Sequence, residues 1–341
     1  MDSEESEGVT KGFGETGSTE YVILCDKVDV NHFGSQFIPA SYYSIFLFSL
    51  LGNGLVLYTM YKYEKLNTVT NIFLINLVVS NLVFSSSLPF WATYHFSSWV
   101  FGSALCKLVG AVFFVGFYSS ILFLTLMTID RYLTVVHPVS TSKQRKNAYA
   151  LICSAVVWCV SILANVKEFV VLDVIDSEDF GLLCEETEPS IEFFATWKVI
   201  GDYQNFVLFF LLPLAVILYS YARIIMRIMQ TRLKTKYRTV KIIFVTIIMF
   251  FACWTPYNVV VLLRALLIED ADECSQNLDY ALYITRNISY LYFCVNPIFY
   301  TFLGKKFRNH FYKLLANHSI CLHNQLISQS SKTSSQRSFC E

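Results

Sequence analysis

Three short stretches pair charged or polar side chains with aromatics or prolines at fixed spacing: Asp130-Arg131-Tyr132, Cys253-Trp254-Thr255-Pro256-Tyr257 and Asn296-Pro297-Ile298-Phe299-Tyr300. None is arranged for making or breaking bonds. The cysteine and histidine positions do not assemble a hydrolase triad, and the ten cysteines lack the C-x-x-C spacing that suggests zinc, so neither an enzyme nor a metal or cofactor site is expected. The chemistry on offer is mechanical. An acid beside an arginine can neutralise it until a rearrangement exposes the charge, and a proline within a helix removes a backbone hydrogen bond and permits a kink.

These stretches need long apolar elements to position them. The chain has 341 residues, 55% hydrophobic and only 15% charged, where globular domains run near 25% charged. Seven windows of roughly twenty residues lack Asp, Glu, Lys and Arg, each long enough as a helix to cross about 30 Å of hydrocarbon. Helical spans are predicted at 38–61, 68–94, 106–133, 148–168, 199–225, 240–265 and 278–303. The uncharged run 66–106 is too long for one crossing; Pro89, His95 and the stretch 97–103 supply the break. The reading is an all-α membrane protein, a bundle of seven transmembrane helices.

Charge gives the orientation. Residues 1–35 carry eight acids against two bases, 167–198 nine against two, and 264–286 five against two. The alternate connections are basic, with Lys62, Lys65, Lys143, Arg145 and Lys146, seven bases from Arg223 to Lys241, and six bases against one acid after residue 303. The positive-inside rule places the N-terminus outside and the C-terminus in the cytosol. Four segments are expected: an acidic extracellular tail at 1–37, the bundle at 38–303, a short amphipathic helix at 304–316 and a disordered Ser/Thr-rich tail at 317–341. The start MDSEESEGVTKG does not resemble a signal peptide, and zero net charge gives nucleic-acid binding no support. A small transporter or channel competes with a receptor, but no related halves and no glycine-rich filter are visible.

With all three stretches in order on their proper helices, the chain resembles a class A, rhodopsin-like G-protein-coupled receptor from Gly52-Asn53 to Phe307-Arg308. Asn53, Arg131, Trp158, Pro213, Pro256 and Pro297 match the family's reference positions. LPFW at 88–91, DRYLTVVHP at 130–138 and WTPYN at 254–258 are similar to chemokine receptors. More narrowly, KYEKLNTVTNIF at 62–73, LDYAL at 278–282 and Arg286, where many chemokine receptors carry Glu, resemble the XC-type receptor for lymphotactin.

That resemblance implies a basic chemokine as extracellular ligand, attracted by the acidic outer face, and a Gi/o heterotrimer as cytoplasmic partner, with receptor kinases and arrestin acting on Ser328, Ser330, Ser331, Thr333, Ser334, Ser335 and Ser338. The expected location is the plasma membrane. Tyr42, Trp91, Phe113, Tyr118, Tyr257 and Arg286 are the expected ligand-binding residues, with Asp202, Gln204 and Arg264 as further polar fixtures. Tyr21, between Glu20 and Asp26, is either a sulfated ligand contact or an ordinary exposed tyrosine. Activation and G-protein coupling are assigned to Asp130, Arg131, Tyr132, Tyr221, Trp254, Pro256, Asn296, Pro297 and Tyr300. Disulfides Cys106–Cys184 and Cys25–Cys274 are implied; Cys321 carries palmitate or stays a free thiol.

Helix two departs from the family. Asn81 stands where the usual motif has the sodium-binding Asp, so Asn81, Ser120 and Asn296 can form a polar network without holding sodium well. That departure keeps an arrestin-biased or scavenging receptor open as the alternative, although the intact Asp130-Arg131-Tyr132 argues against a silent decoy.

Overall fold

A computed structural model describes residues 28–64, 68–139, 147–177, 181–187, 201, 203–231, 234–267 and 275–303; the side chains of 234–243, 265–267 and 296–303 and a few single positions are outside that description. The chain folds as a seven-helix bundle: α1 (Val28–Tyr63), α2 (Val69–Phe96), α3 (Gly102–Val136), α4 (Asn147–Ala164), α5 (Leu212–Thr231), α6 (Lys234–Leu267) and α7 (Gln276–Leu303). Among the described residues, six helical segments are long and apolar enough to span a membrane; α7, with 28 residues, carries Asp279 and Arg286 in its outer half. The expected amphipathic helix at 304–316, Tyr21, Cys25, Asp202, Cys274, Cys321 and the Ser/Thr tail lie outside the described residues.

The bundle is apolar outside and partly polar inside. Leu47, Phe48, Leu51, Leu163 and Leu218 are exposed to the lipid side, whereas Ser49, Asn53, Ser80, Asn81, Ser85, Ser119 and Ser120 are buried. Lipid tails offer no hydrophobic gain for helix association, so close approach and interhelical hydrogen bonds must supply it. Gly116 shows the first device: a Cβ there would lie 2.3 Å from the Phe84 nitrogen, so α2 and α3 meet backbone to backbone. Trp158 shows the second. Its Nε1 donates to Asn76 Oδ1 at 2.9 Å, and Asn76 Nδ2 donates to Ser154 Oγ at 3.3 Å, which fixes α4 to α2.

Three features differ from the sequence expectation. Helix α1 starts at Val28 rather than 38 and continues through Pro39, because Val30, Gly34 and Ile38 fall on one buried face and Phe33 packs edge-on to Tyr280 of α7 at 5.3 Å. Pro89 does not end α2, which runs to Phe96; the break is the turn that follows, where buried Trp99 donates through Nε1 to Gly102 O at 2.9 Å. Gly102 takes φ +79°, which a glycine adopts at no steric cost. Finally, the bundle is not wholly α-helical outside the spans. A six-residue helical turn, Val166–Val171, leads into an antiparallel hairpin, β1 (Leu172–Ser177) and β2 (Gly181–Glu186), with Val174 opposite Cys184.

Ahead of α5 the chain makes one wide turn, Val207–Leu211, closed by Leu212 N–H to Val207 O. Pro213 accounts for it, since proline cannot donate and its ring crowds the carbonyl four residues back. The turn also aims Phe209 inward, where its ring stacks on Tyr118 with centroids 3.8 Å apart.

Candidate functional site

The hairpin roofs the outer end of the bundle. Cys106 on α3 and Cys184 on β2 form a disulfide with Cα atoms 5.7 Å apart, as the resemblance implied, and with Trp99, Val109 and Leu172 they make a small buried cluster. Asp173 on β1 is tied to α3 by Lys107 Nζ at 3.3 Å and by the Ser103 hydroxyl, and its carboxylate also accepts from the neighbouring Val174 N–H on β1 at 2.8 Å. The hydroxyl, the N–H and the ammonium together hold its carboxyl below the ordinary aspartate pKa. Tyr94 adds a bond to Glu185 at 3.2 Å.

Beneath the roof lies a cavity of about 80 Å³, lined by aromatics that include Phe113, Phe117, Trp254, Tyr257 and Tyr290, with Asn205 and Asn258 as polar fixtures. Of the expected ligand residues, Phe113 and Tyr257 line it. Arg286 sits one helical turn above Tyr290 on α7, with the Tyr283 ring 5.6 Å from its guanidinium carbon and Tyr42 and Tyr290 beside it. Tyr42 is buried between Tyr290, at 5.6 Å, and His95, at 6.0 Å. Trp91 lies toward the roof, 5.6 Å from Trp99, and its Nε1 has no acceptor among the described residues.

Other positions are placed differently. Tyr118 braces the wall, donating to Asn205 Oδ1 at 2.6 Å and stacking on Phe209. Gln204 donates to Ala164 O at 3.2 Å, and Arg264 pairs with Asp279 at 3.5 Å. Tyr290 and Phe117 are central residues that sequence reading missed, although Tyr290 stands four residues after Arg286 and therefore on the same helix face.

Trp254 forms the floor. It is buried, with ring centroids of Phe117 at 4.6 Å, Phe250 at 6.0 Å, Tyr257 and Phe293 at 6.1 Å, and Tyr290 at 6.4 Å. Helix α6 continues through Pro256, and Asn258 Nδ2 donates to Trp254 O at 2.9 Å. Any ring displaced at the floor must push on α3, α6 and α7 together, since close-packed interiors shift between discrete arrangements.

A polar network lies on the cytoplasmic side of this floor. Asn53 Nδ2 donates to Ser49 O, Ser49 Oγ and Phe293 O, each at 3.0 Å; Asn81 Nδ2 donates to Asn53 Oδ1 at 3.2 Å, and Ser120 Oγ donates to Asn81 Oδ1 at 2.8 Å. Four helices, α1, α2, α3 and α7, are thereby joined through amides. Asn81 thus has both side-chain heteroatoms engaged by protein. Asn296, Pro297 and Tyr300 fall on the last turns of α7, with side chains outside the description.

At the cytoplasmic end, Asp130 is buried, and Arg131 Nη2 donates to Thr70 Oγ1 of α2 at 2.7 Å. That contact ties α3 to the inner end of α2. Tyr132 Oη lies 3.2 Å from His137 Nε2, and its ring is 6.0 Å from Tyr219 of α5. Tyr221 is buried against Phe244 of α6 at 5.3 Å.

Residues 52–300 match the family described as 7 transmembrane receptor (rhodopsin family). The human C-C chemokine receptor type 4 is 38% identical over 85% of this chain and 81% of its own length, and the guinea-pig (Cavia porcellus) C-C chemokine receptor type 3 is 35% identical over 85% and 82%. The chain belongs to the chemokine receptors of the rhodopsin family. It is therefore a receptor and not an enzyme, a multi-pass protein of the plasma membrane with its N-terminus outside and its C-terminus inside. The human chemokine XC receptor 1 is 40% identical, over 82% of this chain and 81% of its own. The XC-type expectation is corrected by this comparison: the C-C receptors match more of the chain and stand ahead of the XC receptor among these relatives. Its residues were too local, a loop stretch and the outer half of α7, to outweigh a match along the bundle.

Proposed function

We propose that this chemokine receptor binds a basic chemokine at its acidic outer face and activates an inhibitory Gi/o protein, with receptor kinases and arrestin acting later on the Ser/Thr tail. The observation that carries the reading is Trp254, which floors the outer cavity and touches Phe250 and Phe293 above the network that joins four helices. A ligand that moves this ring favours another helix arrangement, a population shift in which Arg131 leaves Thr70 and the cytoplasmic mouth opens. The acids of the tail and loops steer the basic ligand, and Tyr21, when sulfated, deepens that field. Trp91, Phe113, Tyr257 and Arg286 meet the inserted segment, while Tyr42 and Tyr118 support its walls. Tyr132, Tyr221, Pro256, Asn296, Pro297 and Tyr300 serve the rearrangement toward the G protein. The second outer disulfide, Cys25–Cys274, ties the tail to the start of α7. Asn81 and Ser120 satisfy each other without a carboxylate, so sodium exerts little control.

The test is Gi activation in cells expressing the chain, across a panel of C-C chemokines, with Arg131→Ala expressed to the same surface level. A chemokine response that Arg131→Ala abolishes supports the reading. Chemokine uptake without any G-protein response in the unaltered chain would favour the scavenging alternative.

A further inference from the structure

The outer face of the receptor is acidic, yet among the described residues no acid meets Arg286, the cation one helical turn above the cavity-lining Tyr290. Arg286 is half-buried; its Nε and Nη2 are sealed from solvent, and no acceptor among the described residues reaches either. The acid nearest along its own helix face, Asp279, is committed to Arg264 at 3.5 Å. Among the described residues, the groups facing the guanidinium are aromatics: Tyr42 of α1, Tyr257 of α6 and, on its own helix, Tyr283 and Tyr290, with His95 of α2 close by. The Tyr283 ring at 5.6 Å offers π density, which is worth far less than a carboxylate in a site shielded from water. Two unmet guanidinium N–H groups in one plane suit a carboxylate, whose two oxygens accept such a pair side by side.

We propose that the pocket selects an anionic tip: the part of the ligand that enters the cavity presents a carboxylate to Arg286 on an apolar stem that the aromatic walls receive. This deepens the ligand-pocket reading given above and rests on it. The receptor then sorts charge in two layers, drawing a basic body to the acidic loops and an acidic group to Arg286. A ligand basic throughout would be attracted from a distance and rejected at the cavity.

A direct test needs no chemokine. The purified full chain in lipid nanodiscs is melted with millimolar 4-phenylbutyrate, 4-phenylbutyramide or 4-phenylbutylamine, which share one stem and differ in charge. The carboxylate raises the melting temperature by about 2 °C while the amide and amine do not. Arg286→Lys keeps part of the shift, Arg286→Gln loses it, and Arg286→Glu transfers it to the amine. Equal shifts from acid and amine in the unaltered chain, or a carboxylate shift surviving in Arg286→Gln, would overturn the proposal. In parallel, any panel chemokine that activates the receptor is made with Glu or Lys at one position of its flexible N-terminal segment. The Glu form is expected to be at least about tenfold more potent, a ratio within reach of one buried charge pair. A chemokine response without charge preference refutes this inference and spares the receptor reading; a carboxylate shift with no chemokine response does the reverse.

Discussion

Two buried polar sites share this bundle and differ in how their hydrogen bonds are met. In the inner network, Asn53, Asn81, Ser49, Ser85 and Ser120 spend their donors on one another and on backbone carbonyls. At the outer end, Trp254 Nε1 on the cavity floor and, above the cavity, Arg286 Nε and Nη2 and Trp91 Nε1 have no acceptor among the described residues. Burying a polar group costs free energy unless a partner compensates it. The inner site therefore holds helices together, while the outer site is set to gain when something with acceptors enters.

The contrast is sharpest where similar substitutions should act with opposite sign. Asn53→Ala removes the amide that donates to Ser49 and to Phe293 O and leaves Asn81 Nδ2 without its acceptor, so a loss of about 3 kcal/mol is expected, read as a large drop in melting temperature and surface expression. Gly116→Ala forces α2 from α3 at the level where both sites are anchored, at about 2 kcal/mol, in the same assays. Arg286→Gln, by contrast, should leave the ligand-free receptor as stable as before or up to about 1 kcal/mol more stable, since it removes unmet buried donors, while lowering ligand potency. If Arg286→Gln proved as destabilising as Asn53→Ala, the distinction between the two sites would collapse.

Two smaller effects refine the picture. Asn81→Asp places a carboxylate in the network opposite Ser120, and ligand affinity is then expected to become sensitive to sodium where the unaltered receptor is not. Asp173→Asn tests the roof. The folded Asp173 carboxyl titrates below its unfolded value of about 3.9, so its contribution is present above that pH and fades as pH falls through the folded value. The melting-temperature gap between Asp173→Asn and the unaltered chain should be visible near pH 7 and close in acid below about pH 4.

The spans and their orientation were legible in the sequence because lipid forbids unpaired charge, so gaps between charged residues trace the crossings directly. Where other physics decides, the sequence was mute. Residues 28–37 read as part of the acidic tail, yet packing against Tyr280 and Tyr283 carries α1 out to Val28. The wide turn at Val207–Leu211 follows from Pro213 only once the register of α5 is known. In the pocket, Arg286 stood out because a charge in a membrane helix needs a reason, while Tyr290 was one tyrosine among 21. The Arg131 to Thr70 bond joins residues far apart in sequence and no local pattern announces it. The XC-type assignment failed for a related reason, as a few local identities say little about the whole bundle.

The central claim is that occupancy of the outer cavity changes the cytoplasmic mouth. The most direct measurement is the distance between probes at Val139, beyond α3, and Thr239, on the inner half of α6, in nanodisc-embedded receptor with and without an activating C-C chemokine, repeated in Trp254→Ala. The account predicts a second, longer distance whose population grows with chemokine and is lost in Trp254→Ala. A distance distribution unchanged by bound chemokine, or one that lengthens equally without Trp254, would contradict it.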